Sequence, residues 1–255
     1  MLSDFPIRVT IEPTNHCNLN CLPCPRHYIT MPMGFMDWGL FLKIIKQIRN
    51  PGTDIILAWR GEPTLHLNLY GMAYRSPVPV VIATNGTIPR NIPIELIKAI
   101  NVSIHNDKSL TGLTLITGNK PPQLKITASQ VEGEIPDALW RQVKAVHGVD
   151  EFRTYQEHSA GGVWGAIKSD SNKRFNLQGE RQGLCHRLET DLVIAWDGSI
   201  SRCCYKWTPD FPDKLNANNM TLKEIWHSPE LQGIRDRYPD HICSRCDQWR
   251  SYKTL

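Results

Sequence analysis

The sequence has no long hydrophobic run and no basic block, and each absence excludes a class of protein. No apolar stretch approaches the ~20 residues of a membrane-spanning helix, and the opening MLSDFPIRVTIEP lacks the basic-then-apolar layout of a secretory signal. The net charge of +4 is spread over 255 residues, without clustered lysines and arginines. We therefore expect a cytoplasmic protein without a membrane partner, and a nucleic-acid partner has no support.

Cysteine is absent from residues 25–184, so the eight cysteines of the chain fall into two groups. A reducing compartment disfavours disulfides, and clustered thiols there indicate metal binding or redox chemistry. The first group is Cys17, Cys21 and Cys24, and the second is Cys185, Cys203, Cys204, Cys243 and Cys246.

Strand-like and helix-like segments alternate through the first 160 or so residues. Short β-branched runs predict strands, and several of the segments between them carry apolar residues at helical spacing. This alternation favours β–α units and a mainly parallel sheet. Residues 108–122 are short for a helical crossover, so we expect one abbreviated unit there. The predicted strands are 8–14, 55–59, 78–84, 102–104, 124–131 and 151–158, and the predicted helices are 37–48, 67–74, 92–100 and 135–146.

The pattern changes after about residue 160, where a glycine-rich and polar segment is typical of a connector. Residues 192–204 then contain two short β-like runs around Asp197-Gly198, a dipeptide typical of hairpin turns. One helix is predicted over 221–238, followed by the motif CSRC at 243–246. The predicted units are a first domain over 1–160, a connector over 161–184 and a cluster-binding domain over 185–255.

Three thiolates in one loop can hold three irons of a four-iron cluster that four cysteines normally close. The fourth iron then stays open, as catalytic metals keep a free position where structural metals do not. A zinc site completed by His16 or His27 is the alternative. The spacing of the cysteines leaves both possibilities open.

The motif CNLNCLPC, preceded by TIEPTNH, resembles the signature of the radical S-adenosylmethionine (SAM) superfamily, Cys-x3-Cys-x2-Cys after the first barrel strand. The resemblance implies a [4Fe–4S] cluster on Cys17, Cys21 and Cys24 whose open iron binds SAM. It also implies reductive cleavage of SAM to a 5′-deoxyadenosyl radical that abstracts a hydrogen atom. The protein then supplies binding, orientation and exclusion of water.

Three further segments match this superfamily in the expected order. RGEP at 60–63 follows the second predicted strand, ATNG at 83–86 ends the third, and VSIHND at 102–107 contains the fourth. The resemblance implies SAM contacts for Gly61, Glu62, Thr84, Asn85 and Ser103.

Two positions depart from the family pattern. His105 stands where many members have an acid, and it is a candidate for contact with SAM or substrate. Pro23 replaces an aromatic residue that often packs near the adenine, so the adenine contact is left open.

The second cysteine group brackets the predicted hairpin and helix, which suits a closed four-ligand site for zinc or a [4Fe–4S] cluster. Cys204 is left over and is expected to be a small buried thiol. The order of cysteine, DG-containing hairpin, TLKEIW helix and CxxC resembles the SPASM/twitch extension of radical SAM enzymes. This resemblance implies a second [4Fe–4S] cluster on Cys185, Cys203, Cys243 and Cys246.

The cysteine framework as a whole is similar to that of the compact 2-deoxy-scyllo-inosamine dehydrogenase type. The chain ends nine residues after Cys246 without further cysteines, which is typical of the shorter twitch form with one auxiliary cluster. The implied fold is α/β: a partial, abbreviated parallel β/α barrel of about six strands with a small C-terminal hairpin-plus-helix extension.

Substrate contacts are expected at the carboxyl ends of the later strands and in the connector. Glu157 and His158 are the candidate catalytic bases, together with His105 as a further candidate catalytic residue. The other candidates for substrate contact are Gln130, Tyr155, Gln156 and Trp164.

The leading hypothesis is a radical SAM enzyme that dehydrogenates or isomerises a sugar, aminocyclitol or nucleoside-like small molecule, with a flavodoxin- or ferredoxin-like electron donor. A second hypothesis is maturation of a ribosomal peptide. A third is rearrangement of an amino-acid-modified nucleobase. The non-enzyme alternative is an iron–sulfur electron-transfer protein or a zinc-binding protein.

Overall fold

The computed structural model describes residues 3–22, 24–155 and 183–246, whose strands form one open eight-stranded sheet. The strand order is β6-β5-β4-β3-β2-β1-β7-β8, and every neighbouring pair is parallel except β7 and β8. The strands are β1 Arg8–Ile11, β2 Asp54–Leu57, β3 Val80–Thr84, β4 Ala99–Ser103, β5 Lys125–Val131, β6 Glu151–Tyr155, β7 Asp191–Ile194 and β8 Ile200–Ser201.

Helices connect most of these strands and bury their apolar faces in the same core as the sheet. Side chains cap the helix starts: Asp37 accepts the Leu40 N–H at 3.1 Å and Asn106 accepts the Ser109 N–H at 3.1 Å. The helices are α1 Trp38–Ile45, α2 Leu69–Arg75, α3 Asp107–Gly118, α4 Asp137–Lys144, α5 His186–Thr190, α6 Leu222–Trp226 and α7 Pro229–Asp236. In the described part of the chain, no helix is long and apolar enough to cross a membrane.

The two faces of the sheet differ in burial. On one face, alternate residues of the central strands, such as Val9, Ile55 and Ile100, are completely or almost completely buried. On the other face, neighbours such as Ile56 and Asn101 are only half-buried. One face is therefore covered by packed helices while the other lines the concave side of an incomplete barrel.

The partial parallel barrel and its C-terminal hairpin are confirmed. Strands β1 to β6 follow one another in chain order, and the sheet does not close, because β6 and β8 are its two ends. The structure adds that β7, the first strand of the hairpin, pairs in parallel with β1 and so extends the barrel sheet.

The helix predicted over 92–100 is wrong. Pro89–Asn91 forms a single 3₁₀ turn, no helix follows it, and β4 begins at Ala99. Prolines at 89 and 93 remove two backbone donors from this short connection. Residues 108–122, by contrast, contain the 12-residue helix α3, so the abbreviated unit lies one step earlier, between β3 and β4.

The single helix predicted over 221–238 is also wrong, since the segment contains α6 and α7. Pro229 lacks an N–H and occupies the first turn of α7, where that donor is not needed. Ser228 caps the new helix by accepting the Leu231 N–H at 3.3 Å.

Candidate functional site

A cavity of about 270 Å³ lies at the carboxyl ends of β1 to β5, where parallel strands bring their following loops together. All three cysteines of the first group line it. The five residues predicted to contact SAM line it as well: Gly61, Glu62, Thr84, Asn85 and Ser103. His105, the candidate for contact with SAM or substrate, also lines it. The described residues lining the cavity include neither Gln130 nor Tyr155.

The three cysteines are partly exposed within the loop that follows β1. A tight turn fixes two of them, because the Cys24 N–H donates to the Cys21 carbonyl at 3.0 Å. Burial raises the pKa of Cys24, and it raises the pKa of Cys21 to about 12 with a further contribution from the Glu134 carboxylate. Thiols in this environment ionise readily only against a cationic partner such as a metal.

Gly61 is required by a close approach between the β2 end and the cysteine loop. A Cβ atom at this position would lie 2.2 Å from the Thr14 carbonyl oxygen and 2.5 Å from that of His16. The next residue, Glu62, donates its N–H to the same His16 carbonyl at 2.8 Å. The glycine of RGEP therefore lets the backbone that follows β2 pack directly against the cysteine loop.

Glu62 is buried and joins the ends of β2 and β3. Its Oε1 accepts from the Thr64 N–H, the Thr64 hydroxyl and the Thr84 hydroxyl at 2.7 to 3.0 Å. Its Oε2 accepts the Asn85 N–H at 2.7 Å. A carboxylate has about four acceptor sites, so Oε2 keeps capacity for one ligand donor.

Asn85 connects the third strand to the cysteine loop through its side chain. The Nδ2 atom donates to Asn18 Oδ1 at 2.9 Å and lies 3.8 Å from the Cys17 sulfur. The Oδ1 atom accepts both the N–H and the hydroxyl of Thr87. Asn85 therefore orients the loop that carries the first cysteine as well as lining the cavity.

A hydrogen bond between His105 and Glu134 is a part of the site that the sequence reasoning missed. His105 Nδ1 lies 2.6 Å from Glu134 Oε1, and the Glu134 side chain is 9% exposed. Glu134 Oε2 has no hydrogen-bond partner among the described residues. Reactive atoms of Cys21, His105 and Glu134 all lie within 4.8 Å of one another. The sequence feature that could have identified Glu134 is its position shortly after a predicted strand.

An ion pair between Glu12 and Arg60 was also missed. Both side chains are almost completely buried, with Arg60 Nε 2.8 Å from Glu12 Oε1 and Arg60 Nη2 2.6 Å from Glu12 Oε2. Glu12 Oε2 also accepts the Trp196 N–H at 3.2 Å. The pair therefore joins the ends of β1, β2 and β7 at the cavity, which Arg60 also lines.

Two tryptophans connect this cavity to the second cysteine group. Trp59 and Trp207 both line the cavity, one from the β2 end and the other from the segment after β8. The Trp59 indole N–H donates to the Cys204 carbonyl at 2.9 Å, and Arg60 Nη1 donates to the Trp207 carbonyl at 3.2 Å. The segment that contains Cys203 and Cys204 therefore also forms one wall of the first site.

The second group of cysteines is supplied by three separate segments. Cys185 immediately precedes α5, Cys203 follows β8, and Cys243 and Cys246 flank a 3₁₀ turn. Burial raises the pKa of Cys203 well above its ordinary value and that of Cys243 to about 12. The remaining thiol, Cys204, is half-buried beside Arg187, and burial raises its pKa too.

The two histidines named in the zinc alternative each have another contact. The His16 ring stacks on Phe35 at 4.7 Å, and His27 Nε2 donates to the Cys21 carbonyl at 3.0 Å.

Five predicted positions lie outside the described residues. The candidate bases Glu157 and His158 are among them and stay predictions, as does any adenine-side role of the loop at Pro23. Gln156 and Trp164 also lie there.

Comparisons with known proteins agree with this arrangement. Residues 185–247 match the family model named SPASM, an iron-sulfur cluster-binding domain. The fold is similar to the crystal structure of BtrN in complex with AdoMet and 2-DOIA, with a TM-score of 0.59, 19% identity, and coverage of 96% of this chain and 94% of that one. None of the curated proteins is similar enough in sequence to match.

The fold is also similar to that of Streptococcus suis SuiB. The structure bound to precursor peptide SuiA gives a TM-score of 0.67 and 16% identity over 96% of this chain and 70% of that chain. The structure bound to S-adenosylmethionine gives a TM-score of 0.61 and 15% identity over 96% and 69%. The expected SPASM-type domain is thus confirmed by the family match over residues 185–247, and the likeness to BtrN and SuiB is one of fold.

Proposed function

We propose that this protein is a radical SAM enzyme that removes a hydrogen atom from a small hydroxylated or amine-bearing molecule, with dehydrogenation as the overall reaction. One observation carries the proposal: the three cysteines and the five residues predicted to contact SAM line a single cavity. The residues present fit the cofactors. The cysteine thiols suit an iron–sulfur cluster, and the carboxylate oxygens with remaining acceptor capacity suit SAM. The cysteine loop packs closely against Gly61.

The cysteine loop would hold a [4Fe–4S] cluster through Cys17, Cys21 and Cys24. SAM bound to such a cluster supplies a 5′-deoxyadenosyl radical, and the protein's own groups bind and orient the reactants. Glu62 Oε2 keeps one acceptor site beside the cavity, which suits the ammonium group of SAM. Asn85 holds the Cys17 side of the loop in place.

His105 and Glu134 would bind hydroxyl groups of the SAM ribose. Carboxylates serve this purpose for the ribose of other nucleotide cofactors, because each oxygen accepts a hydroxyl hydrogen. The hydrogen bond with His105 fixes the carboxylate, and its buried, unpartnered Oε2 keeps an acceptor for the ligand. Leaving such an oxygen unsatisfied is costly, which favours a ligand donor at this position.

The substrate would lie against Trp59 and Trp207, which give the cavity apolar walls of the kind that shape small-molecule sites. After the hydrogen atom is removed, Glu157 and His158 stay the candidate bases for the proton that leaves when the hydroxyl-bearing carbon radical is oxidised. The auxiliary cluster would accept the electron that leaves with it. The similarity in fold to BtrN, whose structure holds 2-DOIA, supports an aminocyclitol or sugar as the first class to test. A flavodoxin- or ferredoxin-like protein would supply the reducing electron.

Peptide maturation is the second candidate function, and the likeness to SuiB with its precursor peptide favours it. The two candidates differ in the size of the substrate, so both are tested with the same readout. A peptide that donates deuterium to 5′-deoxyadenosine where labelled sugars and aminocyclitols do not would favour the maturase.

Anaerobic reconstitution tests the proposed function. Two four-iron clusters require about eight irons per chain, and dithionite with SAM should then give 5′-deoxyadenosine. Cys204→Ala serves as the matched control, since this cysteine is not among the proposed ligands. Bound zinc without SAM cleavage would overturn the proposal. The substrate class follows from deuterium transfer out of labelled aminocyclitols, sugars and peptides.

A further inference from the structure

Arg202 occupies the junction between two parts of the second cysteine site. It directly precedes Cys203, and its Nη1 lies 3.7 Å from the sulfur of Cys243. These two cysteines are 40 residues apart in the chain and come from different segments. Arg202 is buried, is the residue before Cys203 and places its guanidinium group beside the Cys243 sulfur.

Two carboxylates fix the guanidinium in this position. Arg202 Nε and Nη2 donate to Asp210 Oδ1 at 3.0 and 2.8 Å, and the Arg202 N–H donates to Asp210 Oδ2 at 2.8 Å. Arg202 Nη1 also donates to Asp240 Oδ2. The planar fork of arginine suits this set of partners, whereas a lysine ammonium cannot reach all of them at once.

Asp240 extends the connection to the CxxC turn. Its Oδ1 accepts the N–H groups of Ile242 and Cys243 at 3.1 and 2.9 Å. Arg202 and Asp240 therefore fix both the sulfur and the backbone of Cys243. The neighbouring cation Lys206 also lies 3.5 Å from Asp210 Oδ1, but its ammonium donates to the carbonyls of Thr208 and Pro209 and has no hydrogen bond to a cysteine sulfur among the described contacts.

Groups of this kind act on an iron–sulfur cluster through its electron density. Hydrogen bonds to the ligand sulfurs and nearby positive charge stabilise the reduced cluster, which carries one more negative charge. A nearby carboxylate has the opposite effect. Arg202 and Asp240 should therefore move the reduction potential in opposite directions.

We propose that Arg202 is the positioning residue that joins the two parts of the auxiliary cluster site and raises the reduction potential of that cluster, opposed by Asp240. The inference rests on the proposed function, in which Cys185, Cys203, Cys243 and Cys246 hold this cluster. It concerns no step of catalysis and needs no substrate for its test.

The test uses the full-length chain with Cys17, Cys21 and Cys24 replaced by alanine, so that the auxiliary cluster is observed alone. Iron content and a redox titration followed by electron paramagnetic resonance are measured for the parent and each variant. Arg202→Gln should shift the midpoint potential to a more negative value, Arg202→Lys should shift it less, and Asp240→Asn should shift it to a more positive value. Asparagine keeps the oxygen that accepts the two turn N–H groups. Lys120→Met, which removes a cation from the loop after α3, should leave the potential unchanged.

Opposite shifts with retained iron support the inference, since general damage to the site would not reverse sign between variants. Unchanged potentials, or shifts of the same sign in the Arg202 and Asp240 variants, would overturn it. If Arg202→Gln loses its iron, the signs for Arg202→Lys and Asp240→Asn decide. A parent chain that binds no iron would instead refute the auxiliary site itself, which is a failure of the proposed function.

Discussion

The two cysteine regions of this protein are assembled in contrasting ways. One loop after β1 supplies all three cysteines of the first region, and their sulfurs line an open cavity at the ends of five strands. Three separate segments supply the second region, where Arg202, Asp210 and Asp240 connect two of those segments, the one with Cys203 and the one with Cys243 and Cys246. A site confined to one loop leaves room for a ligand, whereas a site built from several segments encloses its metal and ties the fold together.

The first region also depends on the second for part of its structure. Trp207 forms a cavity wall, and its carbonyl accepts from Arg60 at the end of β2. We therefore expect changes in the first loop to affect chemistry alone, while changes at the contacts between the regions affect stability as well. The following predictions separate these effects, from the largest to the smallest.

Cys21→Ala should abolish formation of 5′-deoxyadenosine and lower the iron content from about eight to about four per chain, because only the auxiliary cluster is retained. The fold should persist, since this cysteine is partly exposed in a loop. Iron analysis, product chromatography and circular dichroism measure the three quantities. Surviving SAM cleavage would contradict the assignment of this loop, and Cys204→Ala should retain both iron and activity.

Arg60→Met should lower the free energy of unfolding by about 3–5 kcal/mol, because it leaves the Glu12 charge buried without its partner. Adding Glu12→Gln should recover part of the loss. The matched control is Arg8→Met, which removes a 3.5 Å pair between Arg8 and Asp191 whose arginine is 41% exposed, and should cost less than ~1 kcal/mol. Urea denaturation measures all three variants, and equal effects for Arg60 and Arg8 would argue against a connecting role of the buried pair.

Glu134→Gln should weaken SAM binding about 10-fold, equivalent to about 1.4 kcal/mol, because an amide offers the ribose hydroxyls a weaker acceptor than a carboxylate. The iron content should not change. Glu132→Gln is the control, since Glu132 lies in the same turn but is exposed. Equilibrium binding of SAM to the reconstituted protein measures both, and equal affinities for the two variants would refute the ribose role of Glu134.

Trp59→Phe should destabilise the protein by only about 0.5–1.5 kcal/mol, since it removes one hydrogen bond and keeps an aromatic wall. The bond runs from the Trp59 indole to the Cys204 carbonyl at 2.9 Å. Thermal unfolding measures the change, and retained iron in both regions would show that this contact adjusts the junction without building either site. A loss of the auxiliary cluster would give it a larger role.

Much of the fold could be predicted because β-branched runs mark each strand directly. The motifs RGEP and ATNG placed Glu62, Thr84 and Asn85 at strand ends, and the structure brings them to one cavity. The wrong helices have local causes. Prolines disfavour a helix in the connection between β3 and β4, and Pro229 begins a new helix, so the last helical region contains two helices.

The missed residues are those whose role depends on a partner distant in the chain. Glu12 and Arg60 are 48 residues apart, and His105 and Glu134 are 29 apart. Each is an ordinary charged residue in the sequence, and only the fold reveals that its partner is buried beside it. The pairing of β7 with β1 was hidden for the same reason, because register between distant strands leaves no local pattern.

The position of β1 bears on how the protein is synthesised. This strand leaves the ribosome before one of its two neighbours, β7, which is 183 residues further along the chain. Until β7 is made, one edge of the hydrophobic strand β1 has no partner in the nascent chain. An unpaired strand edge can pair with other chains and cause aggregation. Glu12 likewise lacks one of its hydrogen-bond donors, the backbone N–H of Trp196, until that residue has been synthesised. Loading of iron into the first loop is therefore expected to follow completion of the chain, and a chain interrupted after β6 should aggregate before it can receive a cluster.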